Sequence, residues 1–151
     1  MVISQEILVQ QSPEVIFNYY VDFTKHHEFI GLLQSCRVIT EEPFELGSQF
    51  IESGDSILGG LLEMKSEVIR FEPNERVTCV SIDGGNKIEQ DLQIQAQSEN
   101  ESLVIFTTTV TPPKTLFGMV SGMASGLVKS KVEEQMVKDS EKFKQVLEQM
   151  A

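Results

Sequence analysis

Ser81-Ile82-Asp83-Gly84-Gly85-Asn86-Lys87-Ile88-Glu89-Gln90-Asp91-Leu92-Gln93-Ile94 is the stretch on which the reading of this chain turns. Asp83 to Asn86 supplies the residue types that tolerate φ > 0, which a tight hairpin turn needs. After the turn, Ile88, Gln90, Leu92 and Ile94 alternate with Lys87, Glu89, Asp91 and Gln93. That period of two is the mark of a strand with one buried face. Arg76 to Ile82 forms the other arm. The seed of the fold is therefore an antiparallel hairpin with an apolar side, which needs neighbouring strands and a cover.

Working outward gives more strands. Upstream, Pro73-Asn74 turns into Leu61 to Phe71, where Met64, Ser66 and Val68 share one face and Glu63, Lys65 and Glu67 the other. Gly59-Gly60 is a second tight turn, leading back to Ser48 to Leu58, a strand containing Gly54, where we expect a bulge. Turns at Leu46-Gly47 and Glu42-Pro43 precede a strand over Leu33 to Thr40. Downstream, Ser98 to Asn100 turns into Leu103 to Thr111, and Pro112-Pro113 ends the sheet.

The first strand, Val2 to Gln10, carries Ile3, Ile7 and Val9 on one face. Ser12 caps a helix that opens at Pro13, with Ile16, Tyr19, Tyr20 and Phe23 as its apolar face. A second short helix is expected over Thr24 to Ile30. Residues 115–150 read as one long helix, striped by Val128, Val132, Met136, Phe143, Val146, Leu147 and Met150. The expected fold is α+β: one strand, two short helices, six consecutive strands and a terminal helix that covers the sheet. With no repeat, linker or low-complexity segment, residues 1–151 are read as a single domain.

Gly118, Gly122 and Gly126 stand four apart at the start of that helix, beside Met119 and Met123. Each glycine in a helix interior costs about 1 kcal/mol relative to alanine. Close packing of the helix start on the sheet explains them, and so does a pliable lid over a ligand. The apolar run Leu116 to Val128 is too short to span a bilayer.

The 151 residues carry a net charge of −11. Residues 129–151 hold five Lys and five acidic residues, so residues 1–128, with seven basic against eighteen acidic, carry all of it. Such a surface repels phosphate backbones and anionic membranes, and no nucleic-acid partner or stable membrane insertion is expected. Cys36 and Cys79 fit no metal or CxxC spacing and are read as free thiols. Without a basic or long apolar N-terminal region, a cytoplasmic protein is expected.

Four segments carry a family resemblance. Gln11-Ser12-Pro13-Glu14-Val15-Ile16-Phe17 sits at the first strand–helix junction. Asp22-Phe23-Thr24-Lys25-His26-His27-Glu28-Phe29-Ile30 covers the second helix, with His27 where a proline is usual. Leu46-Gly47-Ser48-Gln49-Phe50 enters the third strand, and Phe71-Glu72-Pro73-Asn74-Glu75-Arg76 turns between the fourth and fifth. In order and spacing the chain resembles the helix-grip superfamily of START-like and Bet v 1-like proteins (SRPBCC), in particular the bacterial polyketide cyclase/dehydrase and lipid-transport group. The resemblance implies a seven-stranded curved antiparallel sheet wrapped around the long C-terminal helix, with an apolar cavity between them. It implies no catalytic residue, because carriers, cyclases, hydrolases and co-chaperones share this fold.

The alternation then nominates the cavity lining: Phe50, Met64, Ser66, Val68, Cys79, Ser81, Gln90, Leu92, Ile94, Phe106 and Thr108 from the strands, with Val110. From the helix, Leu116, Met119, Val120, Met123 and Leu127 would close the space. Glu52 is the one candidate acid. It shares the period of Phe50, and a carboxyl in an apolar cavity would be able to move protons. A bulge at Gly54 would instead turn it to solvent, which is the reading we take. His26 and His27, the only histidines, are read as surface residues, and no metal or cofactor is expected.

The leading functional expectation is a carrier of a small hydrophobic or amphipathic ligand such as a lipid, quinone or polyketide-like aromatic. A cyclase, dehydratase or hydrolase using the same cavity is the alternative. An interaction module with an acidic face is the third. Monomer and homodimer both fit the sequence.

Overall fold

The structure is a computed structural model and describes residues 1–57, 59–83, 85–112 and 126–150. Its elements run β1 (Val2–Val9), α1 (Pro13–Val21), a 3₁₀ helix (Phe23–Glu28), β2 (Leu33–Val38), β3 (Gln49–Asp55), β4 (Leu61–Glu72), β5 (Arg76–Asp83), β6 (Asn86–Ser98), β7 (Glu101–Thr111) and α2 (Gly126–Glu148). All seven strands join one antiparallel sheet in the order β1-β7-β6-β5-β4-β3-β2. The elements follow the expected order. Leu116, Gly118, Met119, Val120, Gly122 and Met123 lie outside the described residues, and the described part of α2 starts at Gly126.

The β5–β6 hairpin pairs Asp83 with Asn86 and runs in unbroken register to Arg76 opposite Gln93. Val77, Leu92 and Val104 sit fully buried on one face of three successive strands, as the alternation requires. Between β3 and β4, Gly59 (φ 94°) and Gly60 (φ 81°) both take the left-handed conformation, so glycine is needed at each. Register shifts at Leu33/Ser35, Val68/Arg70 and Ala96/Ser98 mark bulges, which bend their strands.

Ser12 Oγ accepts from Val15 N–H (3.4 Å) and Pro13 takes the first helical position, starting α1 as expected. The short second helix is 3₁₀ rather than α. With about three residues per turn, Phe23, His26 and Phe29 stack along one face. Phe23 and Phe29 are buried, as is His26. These rings join Tyr19, Tyr20, Phe50 and Phe143 in one aromatic cluster, with Phe23–Phe50 centroids at 4.3 Å and Phe29–Phe143 at 4.9 Å.

Helix α2 buries Val128, Ser140, Phe143 and Leu147. Ser140 is the polar member, and its Oγ donates to Val137 O at 2.9 Å within the helix. Gln11 Nε2 donates to Leu147 O (2.7 Å), which also accepts from Met150 N–H, and to Met150 O (3.1 Å) just past the helix end. Lys144 Nζ donates to Leu8 O at 2.9 Å. Through Gln11 and Lys144, the C-terminal turns of α2 are pinned to the end of β1.

Candidate functional site: a cavity between sheet and helices

Where α1, the 3₁₀ helix, β6, β7 and α2 meet, they form a half-open cavity of about 110 Å³. Tyr20, His26, Phe29 and Ile30 form its helical wall and Met136, Asp139 and Ser140 its α2 wall. The sheet contributes Gln90, Phe106 and Thr108, flanked by Asp91 and Thr107. Gln90, Phe106 and Thr108 are among the sequence-nominated residues. The helical side was not nominated. Its signal was the Phe23–His26–Phe29 spacing, which looks irregular on an α-helical template and forms a single face on a 3₁₀ template.

The other nominated strand residues distribute along the inner face. Phe50, Val68 and Leu92 are fully buried in the core, and Ser66, Cys79, Ser81 and Ile94 are buried beside them. Met64 is half-buried and its Sδ accepts from Ser81 Oγ at 3.8 Å. Leu127 is 69% exposed and faces solvent, so it closes no part of this cavity.

His26 is not a surface residue. Only 2% of it is exposed, and its ring stacks on Phe23 at 4.0 Å. Nε2 donates to Tyr20 O at 2.7 Å, which assigns the proton to that nitrogen. Burial lowers its pKa to about 4, against smaller raising effects from Tyr20 O and Asp22, so it lines the cavity as a neutral imidazole at physiological pH. His27 is exposed, with Nδ1 at 2.9 Å from Thr24 O. Asp139 accepts from Gly31 N–H (3.0 Å) and Gln135 Nε2 (2.8 Å). Its pKa is raised by burial despite these bonds.

The bulge expected at Gly54 lies on the partner strand. The register shift falls in β2, between Leu33 and Ser35, while β3 pairs with β4 without interruption from Gln49–Glu67 to Asp55–Leu61. Gly54 permits this: a Cβ there would stand 2.2 Å from Leu32 O and 2.9 Å from Leu33 Cα. With the alternation of β3 intact, Glu52 stays on the face of Phe50, between Cys36 of β2 and Met64 of β4. The solvent reading is therefore corrected: Glu52 is half-buried on the inner face.

Burial raises the Glu52 carboxyl from its ordinary 4.5 to about 7. Among the described residues no donor or cation pairs with it. Its charge in turn reaches Tyr20, Cys36 and Cys79, adding to the burial that already raises each. Cys36, pushed up to about 12, and Cys79 are free neutral thiols, which makes them poor nucleophiles. Asp91 is engaged elsewhere, its carboxylate binding Arg76 Nε at 3.0 Å and Thr78 Oγ1 across the outer face of the sheet. Among the described residues, no group of three or more His, Cys, Asp or Glu is placed to hold a metal ion.

The whole chain superposes on solved structures of proteins with little sequence in common. A START superfamily protein from Mycobacterium smegmatis matches with a TM-score of 0.77 at 16% identity over 99% of both chains. The Zhui aromatase/cyclase from Streptomyces sp. R1128 matches with a TM-score of 0.80 at 9% identity, over 98% of this chain and 93% of that one. Ginseng major latex-like protein 151 from Panax ginseng matches with a TM-score of 0.72 at 13% identity, over 96% and 95%. No family model matches the chain, and no curated protein does. The fold is therefore the helix-grip fold of START and Bet v 1-like structures. At these identities the likeness carries no residue role and no ligand.

Proposed function

We propose that the protein binds a small apolar or amphipathic molecule between the inner face of the sheet and its helices. One observation carries this reading: a cavity of about 110 Å³ walled by Phe29, Ile30, Phe106 and Met136, into which polar groups converge from Tyr20, His26, Gln90, Thr108, Asp139 and Ser140. Apolar walls with convergent polar groups describe a small-molecule site. The size sets a limit. Sites that enclose a drug-sized ligand span roughly 300–1,000 Å³, whereas a cavity of about 150 Å³ holds a single benzene ring. At about 110 Å³ the cavity is smaller than that, so it suits a short chain segment or part of a ring, and a larger ligand has to widen it. Carriers and cyclases, both implied by the resemblance, use such a space to exclude water from an apolar guest.

No helix among the described residues is long and apolar enough to cross a membrane. A cytoplasmic location belongs to this reading, and the free thiols of Cys36 and Cys79 agree with a reducing compartment. Protein purified without detergent is expected to carry an apolar molecule visible by native mass spectrometry. An empty protein that also fails to bind the neutral dye N-phenylnaphthylamine contradicts the reading.

A second reading, general acid–base catalysis on a bound substrate, is favoured by Glu52 alone. A carboxyl that titrates at about 7 exchanges protons effectively at neutral pH. Unchanged turnover of a cyclisable substrate in Glu52→Gln removes Glu52 from such a mechanism.

A further inference from the structure

We propose that Asp139 anchors the ligand's polar end: the cavity takes a short-chain amine, with its ammonium head on Asp139 Oδ2, and disfavours a carboxylate head. This rests on the binding reading above and gives it a chemical class.

The carboxylate is held where α2 meets the turn after the 3₁₀ helix. Gly31 N–H (3.0 Å) and Gln135 Nε2 (2.8 Å) both donate to Asp139 Oδ1. A Cβ at Gly31 would stand 3.0 Å from Gln135 Nε2 and 3.5 Å from Asp139 Oδ1, so the bare backbone lets both side chains close on it. Docking α2 on this turn therefore uses one oxygen and leaves the other over. Among the described residues Oδ2 makes no hydrogen bond or ion pair, and it is not sealed in the core. Asp139 lines the half-open cavity, so a guest there can reach Oδ2.

The rest of the lining sorts the head group. Among the described residues no Lys or Arg lines the cavity. His26 is neutral above about pH 4, and with its proton on Nε2 its other ring nitrogen can only accept. Ser140 Oγ gives its proton to Val137 O, which leaves it lone pairs for a guest. Asp91, the other acid at the cavity, has its carboxylate committed to Arg76 Nε (3.0 Å) and Thr78 Oγ1 on the outer face. Tyr20, Gln90 and Thr108 can each donate or accept, so they do not discriminate. The α2 and 3₁₀ walls therefore offer acceptors and one carboxylate with a free oxygen. Burial raises the Asp139 pKa, while the bonds from Gly31 and Gln135 and the charge of Lys138 oppose the rise. An ammonium head brings donors and the opposite charge to Oδ2, whereas a carboxylate head sets a second negative charge beside it. The volume of about 110 Å³ limits the tail to a short chain.

Three ligands with one short chain test this: n-butylamine, n-butanol and n-butyrate. Each is titrated at pH 8, in enough salt to screen the surface charge, with the methyl of Met136 in the cavity wall as the NMR reporter. The wild type is expected to bind the amine about tenfold more tightly than butyrate, with butanol between them. Asp139→Asn keeps an oxygen for Gly31 and Gln135 and exchanges Oδ2 for an N–H donor. In that variant the amine is expected to fall to the level of butanol or below and butyrate to gain, while butanol, which both donates and accepts, changes least. A urea midpoint near the wild-type value reports that the fold is intact. Butyrate binding as tightly as the amine in the wild type overturns the inference, and this ratio decides alone if the variant does not fold. An amine-to-butyrate ratio that Asp139→Asn leaves unchanged overturns it too. If N-phenylnaphthylamine moves the Met136 methyl and none of the three ligands does, the inference falls and the binding reading stands; if the dye also moves nothing, both fall.

Discussion

Glu52 stores a cost that pH releases. Its folded-state pKa of about 7 lies above the ordinary 4.5, so the folded protein favours the protonated carboxyl. The group's contribution is whole below pH 4.5 and is lost as pH rises through 7. At one pKa unit per about 1.4 kcal/mol, the loss is at most about 3 kcal/mol. Glu52→Gln, which keeps the shape and removes the charge, is expected to be more stable than the wild type by up to that amount at about pH 8. Near pH 4.5 the two are expected to match. Urea denaturation at both pH values measures the difference; an advantage independent of pH contradicts the assignment. His26 slopes the other way, since its pKa of about 4 lies below its ordinary 6.5 and its contribution is lost as pH falls through 4. Between them the wild type hides two opposed titrations, which the Glu52→Gln difference separates. A residue that weakens the fold at working pH and pairs with nothing among the described residues is the kind kept for function.

Among the strands, the edge strand β2 shows how one glycine decides which way its neighbour's side chains point. Gly54 lets the backbone of Leu32 and Leu33 pass within contact distance, and the bulge forms on β2 instead of β3. Gly54→Ala would drive a Cβ into backbone that has no side chain to move aside. We expect a loss of about 3 kcal/mol by chemical denaturation, with β2 exchanging its amide protons first; a loss below about 0.5 kcal/mol contradicts the close packing. This is also where the sequence misleads. Gly54 announces an irregularity, but a single chain does not say on which strand of a pair the extra residue falls, and that choice decides the face of Glu52. The strands themselves were legible, because Ile88, Leu92 and Ile94 set a period of two that no helix tolerates. The short helix after α1 was legible as well, but its 3₁₀ period was not: a period of three hides the shared face of Phe23, His26 and Phe29 from an α-helical template, and the helical wall of the cavity went with it.

For the molecule as a whole, the succession of strands and helices was readable because each strand ends in its own turn chemistry: Gly59-Gly60, Pro73-Asn74, Asp83 to Asn86. The cavity was less so, since it forms where five elements converge and depends on side chains brought together only by the tertiary fold. Asp139 and Ser140 illustrate this: neither belongs to the apolar stripe of α2, yet the packing of α2 against the 3₁₀ helix turns them inward, beside Tyr20 and His26. Whether this convergence holds a ligand is decided by methionine-methyl NMR of the intact protein titrated with N-phenylnaphthylamine. Met136 lines the cavity, while Met150, 41% exposed, lies at the far end of the chain. A saturable shift of the Met136 methyl with Met150 unmoved is the predicted result. Binding that shifts Met150 and leaves Met136 in place would contradict a ligand site between sheet and helices.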